Sequence, residues 1–134
     1  MKIKTSKTFK KSKGDFVVHI TGKNIREKSA KALKKAQHKK TSRLVITGSA
    51  NSQEVTEGLF LANYRFLKYK KAEAEKHRAK NIKEVIIING EKKKIKQGQL
   101  VAEAVILARD LVNEIPQKMK PKDLVSEARK IAKN

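Results

Sequence analysis

Residues 98 to 121, GQLVAEAVILARDLVNEIPQKMKP, carry the strongest helix pattern of the chain and the signal that ends it. At about 100° per residue, apolar side chains fill one arc of about 160°, and polar side chains fill the opposite side. This pattern predicts a helix over residues 98 to 115 that docks the apolar arc on a sheet. Pro116 cannot continue that helix, and Pro121 opens a second helix at a first-turn position. The arc consists of Leu100, Val101, Ala104, Val105, Leu107, Ala108, Leu111, Val112 and Ile115.

Apolar runs earlier in the chain predict the strands of that sheet. RLVITG, residues 43 to 48, and EVIIING, residues 84 to 90, are continuous apolar runs, typical of strands buried on both faces of a parallel sheet. DFVVHI, residues 15 to 20, is a shorter run of the same kind. Residues 1 to 14 contain six lysines and alternate only weakly, which fits either an edge strand or a solvated basic arm.

Two further helices alternate with these strands. The first is predicted to begin after a side-chain cap at Asn24 and to end near Lys39. The second is capped by Asn51 and runs from Ser52 to about Lys71. The alternation of strands and helices predicts an α/β fold, a three-layer sandwich with a largely parallel sheet.

The composition is strongly basic. The 134 residues include 34 Lys and Arg against 13 Asp and Glu, a net charge of +21 at pH 7. Such a charge attracts polyanions at low ionic strength. The absence of cysteine excludes disulfides, thiolate catalysis and cysteine-ligated zinc. No apolar run reaches the ~18 residues needed to span a bilayer, so we expect a cytoplasmic protein without a membrane partner.

Two sequence blocks resemble the N-terminal domain of the leucine aminopeptidase (cytosol aminopeptidase) family. The blocks are EGLFLANYRFLKYK, residues 57 to 70, and ARDLVNEIPQKMKP, residues 108 to 121, in the family's order and about forty residues apart. The chain departs from the family pattern at Ala62 and Leu67, where glycine and an acidic residue are usual. The residues that match the family signature are Glu57, Gly58, Tyr64, Arg65, Phe66, Tyr69, Lys70, Arg109, Asp110, Asn113, Pro116 and Pro121.

This resemblance implies a macro-domain-like fold and a division of the chain near residue 115. Residues 1–115 would form the N-terminal α/β domain, and 116–134 a linker and first helix leading toward a catalytic domain. In that family the catalytic residues and two divalent metal ions, zinc or manganese, belong to the C-terminal domain. We therefore expect no catalytic, cofactor-binding or metal-binding residue in this chain. Its expected role is to support the catalytic domain of a metallopeptidase and to shape contacts in a homo-hexamer.

Two observations from the residues themselves bear on this expectation. The 13 acidic residues are scattered along the chain, most of them on predicted helix surfaces, whereas two-metal hydrolysis needs several carboxylates that converge on the metal pair. Ile106 lies alone in the middle of the polar side of the long helix. An exposed isoleucine there fits a contact with another domain, and it also fits chance.

A small basic α/β module that binds nucleic acid is the alternative function. The first 40 residues contain 14 basic and two acidic side chains, and the segment from residue 23 to residue 40 is dense in lysine. Lysine reaches phosphates but does not read bases, so such binding would be non-specific. A lysine-rich genome composition also explains the charge. The candidate contacts are Lys31, Lys34, Lys35, Lys39 and Lys40.

Overall fold

The computed structural model describes residues 1 to 10, 12 to 48, 51 to 70 and 82 to 132. Within these residues the chain forms four strands, four α-helices and one short 3₁₀ helix. In chain order they are β1 (Lys2–Ser6), β2 (Asp15–His19), α1 (Ile25–His38), β3 (Arg43–Thr47), α2 (Ser52–Asn63), β4 (Glu84–Ile88), α3 (Lys92–Asn113), the 3₁₀ helix (Pro116–Lys118) and α4 (Pro121–Ile131).

The strands form one sheet in the order β1, β4, β3, β2, and every neighbouring pair is parallel. The two central strands come from the continuous apolar runs, and Leu44, Val45, Ile46 and Val85 are fully buried. Residues 2 to 6 pair with β4, so the basic N-terminal segment provides an edge strand and not a solvated arm. The predicted α/β sandwich with a largely parallel sheet is confirmed.

Helices α1 and α2 and the start of α3 cover one face of the sheet, and the core lies between these layers. Its members come from every layer: Leu33, Leu44, Ile46, Val55, Leu59, Val85, Ile87 and Ile95. Two glycines allow the helices to approach closely. A Cβ on Gly58 would stand 2.4 Å from the Arg26 carbonyl oxygen of α1, and one on Gly98 would stand 2.5 Å from the Gln53 carbonyl oxygen of α2. Helix α2 is therefore packed on both sides.

The second face of the sheet carries a row of alternating charges across all four strands. Lys2, Glu84, Arg43 and Asp15 occupy matching register positions. Arg43 donates two hydrogen bonds to Asp15, at 2.6 and 2.7 Å, and Lys4 forms an ion pair with Glu84 at 2.6 Å. The guanidinium of Arg43 also lies 5.9 Å from the ring of Phe9, in the connection between β1 and β2.

Two predicted helix boundaries differ from the structure. Helix α3 begins at Lys92, six residues before the predicted start at residue 98. Helix α2 ends at Asn63, because Tyr64 has an extended backbone, so the predicted continuation toward Lys71 is wrong for the described residues. The physical reason is tertiary: the Tyr64 hydroxyl donates to Asp110 of α3 at 2.6 Å. Lys71 itself lies outside the described residues.

The ends of α1 differ from the predicted cap. Asn24 occupies the predicted N-cap position, but it has a left-handed backbone with φ of 59° and makes no side-chain capping bond. At the other end Lys40 has φ of 54°, while its N–H donates to Gln37 and the Thr41 N–H donates to Ala36. These bonds form a Schellman motif, in which the left-handed position usually holds glycine. The Asn51 cap of α2 is confirmed, because its side chain accepts from the Gln53 N–H.

Candidate interaction surfaces

Helix α3 packs on α2 through its small residues and leaves its apolar arc outside. Gly98 and Ala102 are buried against α2, and Ile95 enters the core one turn earlier. Continued at about 100° per residue, this line places Ile106 and Asp110 on the packed side as well. The predicted docking of the apolar arc on the sheet is therefore wrong. Ile106 is half-buried on the inner side, so its predicted exposure is wrong too.

The exposed arc of α3 is an extended apolar surface, which we call the α3 apolar face. It consists of the eight residues of the predicted arc that lie within α3, together with Ile115 just beyond the helix end. The centre of the arc lies opposite the line that contacts α2. The side chains of Leu100 and Val112 are 57% and 84% exposed. Val101, Val105 and Ile115 are also exposed, whereas Leu107 and Leu111 are half-buried. Helices α1 and α2 and the start of α3 already cover the face of the sheet that carries Leu44 and Val85, so the rest of α3 does not reach this core.

Helix α4 also has an exposed apolar side, which is shorter than that of α3. Pro121 begins the helix as predicted, and the carboxylate of Asp123 accepts from the Lys120 N–H at 3.0 Å. No residue of α4 is buried. Its apolar side chains Leu124, Val125 and Ile131 are each at least half exposed. The last two helices therefore present two apolar surfaces that the described residues do not cover.

The two sequence blocks with the family signature meet in space at the end of α3. The Tyr64 hydroxyl donates to Asp110 at 2.6 Å and accepts from the Asn113 side chain at 3.4 Å. The guanidinium of Arg109 lies 5.7 Å from the centre of the Tyr64 ring. Burial first, and then the hydrogen bond to Asp110, raise the pKa of Tyr64 above its ordinary value. Four signature residues thus form one cluster.

A second cluster lies one turn further along. The carboxylate of Glu114 accepts from both Lys68 and Tyr69, and these two bonds hold the pKa of Glu114 below its ordinary value. The Tyr69 ring packs edge-on against Phe66, with ring centres 6.0 Å apart, and the Lys118 ammonium lies 5.1 Å from the Tyr69 ring. We call the two clusters together the tyrosine latch. It fastens residues 64 to 69 to the end of α3.

The remaining signature residues do not belong to the latch. Glu57 and Gly58 lie at the contact between α2 and α1, where the buried Glu57 carboxylate binds Arg26 and accepts from Gln53 at 2.9 Å. Arg65 and Lys70 are exposed, Pro116 begins the 3₁₀ helix and Pro121 begins α4. Lys68 and Glu114 belong to the latch although the sequence did not single them out. No short sequence motif could have identified these two residues, because they contact each other from distant segments of the chain.

The lysines predicted to contact nucleic acid lie on and just after α1. Lys31, Lys34, Lys35, Lys39 and Lys40 are all exposed. Lys31 forms an ion pair with Glu27 at 2.5 Å, and the Lys39 ammonium lies 4.9 Å from the ring of Phe16. These lysines therefore lie on one helix and its C-terminal turn.

The described residues contain neither a cluster of potential metal ligands nor a helix suited to span a membrane. Among residues 1 to 10, 12 to 48, 51 to 70 and 82 to 132, no three or more His, Cys, Asp or Glu side chains converge as metal ligands. In the same part of the chain no helix combines the length and apolar character of a membrane span.

Comparisons with known proteins agree with the resemblance seen in the sequence. No protein-family model matches the chain. The chain is 39% identical over 135 residues to a probable cytosol aminopeptidase of Aquifex aeolicus, covering 88% of this chain and 27% of that protein. It is 30% identical over 125 residues to a probable cytosol aminopeptidase of Alkaliphilus metalliredigens, covering 81% of this chain and 25% of that protein.

A solved structure supports the same fold. The bottromycin maturation enzyme BotP, in complex with Mn, matches 81% of this chain and 24% of its own with a TM-score of 0.64 and 24% identity. The chain thus spans about a quarter of the length of the proteins it matches. The sequence blocks, the fold and the two relatives agree that the chain is a domain of the cytosol aminopeptidase family, similar to the family's N-terminal domain.

Proposed function

We propose that this chain is a non-catalytic domain that supports the catalytic part of a cytosol-aminopeptidase-type metallopeptidase. In this proposal residues 1–115 form the supporting domain, and residues 116–134 lead toward the catalytic part. The two divalent metal ions, zinc or manganese, and the catalytic residues belong to that part. Contacts within a homo-hexamer and a cytoplasmic location belong to the same proposal and follow from the family resemblance.

The observation that carries this proposal is the exposure of the α3 apolar face. A helix with this much exposed valine and leucine on one side, and buried glycine and alanine on the other, is built to pack on both sides. Exposed apolar surfaces of this kind mark interaction sites. The relatives are about four times longer than their matched parts, so an additional partner exists within the same polypeptide in those proteins. The catalytic part is the occupant we propose for this face.

The tyrosine latch supports the same proposal. It holds the last turn of α3, and therefore sets the direction in which the chain leaves the domain at Pro116. Asp110 is on α3 and Glu114 follows its last residue, while Tyr64 and Tyr69 come from the segment after α2. The stability of the separate domain gives little reason for several side-chain hydrogen bonds to the exposed end of α3. If α3 and α4 contact a partner, these bonds fix the angle at which the two helices meet it.

A chimera tests the proposal. This chain replaces the matching part of the Aquifex aeolicus relative, and cleavage of leucine p-nitroanilide is measured with Mn²⁺ or Zn²⁺ present. We expect the chimera to be active and the separate chain to be inactive. The double substitution Leu100→Glu and Val112→Glu places two charges on the α3 apolar face, and we expect it to remove most of the chimera's activity and its assembly.

The matched control for the chimera is Gln99→Glu with Gln117→Glu. These exposed residues lie outside the α3 apolar face, and the pair adds the same charge. The control should keep activity and molecular mass. Equal loss in both double variants, or hydrolysis by the separate chain that chelation abolishes, would contradict the proposal. The mass of the active chimera reports whether it assembles as a hexamer.

A further inference from the structure

The two outer strands of the sheet differ in how their edges are protected. Strand β1 carries the exposed lysines Lys2 and Lys4, which discourage the addition of another strand. Strand β2, with the sequence DFVVH, contains no lysine or proline, and Val17 in its middle is 37% exposed. No described strand pairs with the outer side of β2. The exposed middle of β2 is thus protected by neither lysine nor proline.

On the outer side of β2, the main-chain groups of Val17 and His19 pair with no described strand. The Ile20 N–H donates to the Thr47 carbonyl of β3 at 2.8 Å. Main-chain groups alternate in direction along a strand, so those of Phe16 and Val18 also point toward β3. Those of Val17 and His19 point away from the sheet. An extended chain laid beside β2 would find a donor and an acceptor at each of these two residues.

A groove runs beside this edge, between β2 and α1. Its volume is about 280 Å³, and its walls differ in character. The floor is apolar, with Phe16, Val18 and Ala32, while Lys28, Lys31 and Lys35 line the helix side. The Lys28 ammonium donates to the Thr21 carbonyl, and Lys31 pairs with Glu27. Lys35 is exposed and forms no ion pair with a described residue.

We propose that the outer edge of β2 and the groove beside α1 bind an extended acidic segment of a partner protein by strand addition. In this mode main-chain hydrogen bonds give affinity, and side-chain pockets give specificity. Alternate side chains of the added strand would face the groove, where apolar groups contact the floor and carboxylates reach the lysines. This site is separate from the α3 apolar face and does not depend on the function proposed for that face.

Charge and backbone chemistry favour an acidic peptide over two other occupants, a second copy of the chain and nucleic acid. A second copy of the chain, pairing β2 with β2, would bring two lysine-lined helices of a protein with net charge +21 together, and like charges oppose such contact. Nucleic acid would satisfy the lysines, but it has no backbone that continues a β-ladder. Only an extended acidic polypeptide uses the free main-chain groups, the apolar floor and the lysines together.

The test uses a fluorescein-labelled octapeptide of alternating valine and glutamate, with binding to the chain followed by fluorescence anisotropy. Binding should be saturable, and the amides of Val17 and His19 should gain protection from hydrogen exchange. A peptide N-methylated at alternate residues keeps charge and shape but cannot form the ladder. We expect it to bind at least about tenfold more weakly, since each lost hydrogen bond contributes a factor of several.

The lysines are tested with a matched pair of variants. Substituting Lys28, Lys31 and Lys35 by glutamine should weaken peptide binding about tenfold, as expected for three partly screened charges. Substituting the exposed Lys93, Lys96 and Lys122 by glutamine removes the same charge elsewhere and should have a much smaller effect.

Three outcomes would overturn the proposal. The first is equal affinity for the N-methylated and unmodified peptides. The second is tighter binding of a single-stranded DNA oligonucleotide of equal charge, lost on substitution of Lys28, Lys31 and Lys35. The third is self-association of the chain that protects Val17 and His19 without any peptide.

Discussion

Replacing Gly98 by alanine tests how closely α3 crosses α2. The added Cβ would stand 2.5 Å from the Gln53 carbonyl oxygen and 2.9 Å from the Thr56 Cβ. Neither atom is the flexible end of a side chain, so α3 must shift and loosen the contacts of Ile95 and Ala102. Overpacking of this kind costs about 1–3 kcal/mol, and both contacts here are with rigid groups, which favours the upper half of that range.

The helix propensity of alanine opposes this cost. Alanine in place of glycine inside a helix stabilises by about 1 kcal/mol. We therefore expect Gly98→Ala to lower the free energy of unfolding by a net 1–2 kcal/mol or so, measured by urea denaturation monitored by circular dichroism. Ala104→Gly, at an exposed position of the same helix, measures the propensity difference without a clash. If Gly98→Ala stabilised the chain by the amount that Ala104→Gly destabilises it, the close crossing would be refuted.

Three further predictions concern the helix ends. Lys40→Gly should raise the free energy of unfolding in urea by about 0.5–1 kcal/mol, because glycine removes the strain of the left-handed backbone. A lower free energy of unfolding would contradict the Schellman motif. Because the pKa of Glu114 is lowered in the fold, the latch should be complete above the ordinary glutamate pKa and be lost as pH falls through the lowered value. The Tyr69 ring signals in NMR spectra should report that change, and Glu114→Gln should abolish it. In hydrogen exchange the Val125 amide of α4 should exchange far faster than the Ala102 amide of α3, since no residue of α4 is buried; equal protection would show that α4 belongs to the core.

The elements of this fold were predictable from local patterns, but the direction of the long helix was not. Continuous apolar runs identified β3 and β4, and the alternation with helices identified the parallel sheet. The amphipathic pattern then predicted that the apolar arc of α3, Leu111 included, lies in the core. The prediction fails here because small residues, Gly98 and Ala102, provide the packed side. Periodicity finds the larger apolar arc, whereas the packed side of α3 is a narrow line of mostly small residues.

The tyrosine latch shows a different limit of sequence reasoning. The family resemblance identified Tyr64, Tyr69, Asp110 and Asn113, yet it did not say that they touch. Their contacts join segments about 46 residues apart, and no local spacing encodes such a pairing. The same contacts end α2 at Asn63 although the following residues, Tyr64 to Lys70, continue a helical pattern. Tertiary hydrogen bonds override local propensity at this point.

The position of β1 has a consequence for the synthesis of the chain. Lys2 pairs with Glu84, so β1, the first of the four described strands in the chain, cannot join the sheet beside β4 until β4, the last of them, has been made. Until it does, β4 exposes one edge with the sequence EVIII, an apolar segment of high β-propensity that favours aggregation. The arrival of β1 replaces that edge by one bearing Lys2 and Lys4. Strand β1 therefore protects the aggregation-prone edge of β4, and it can do so only after β4 has been made.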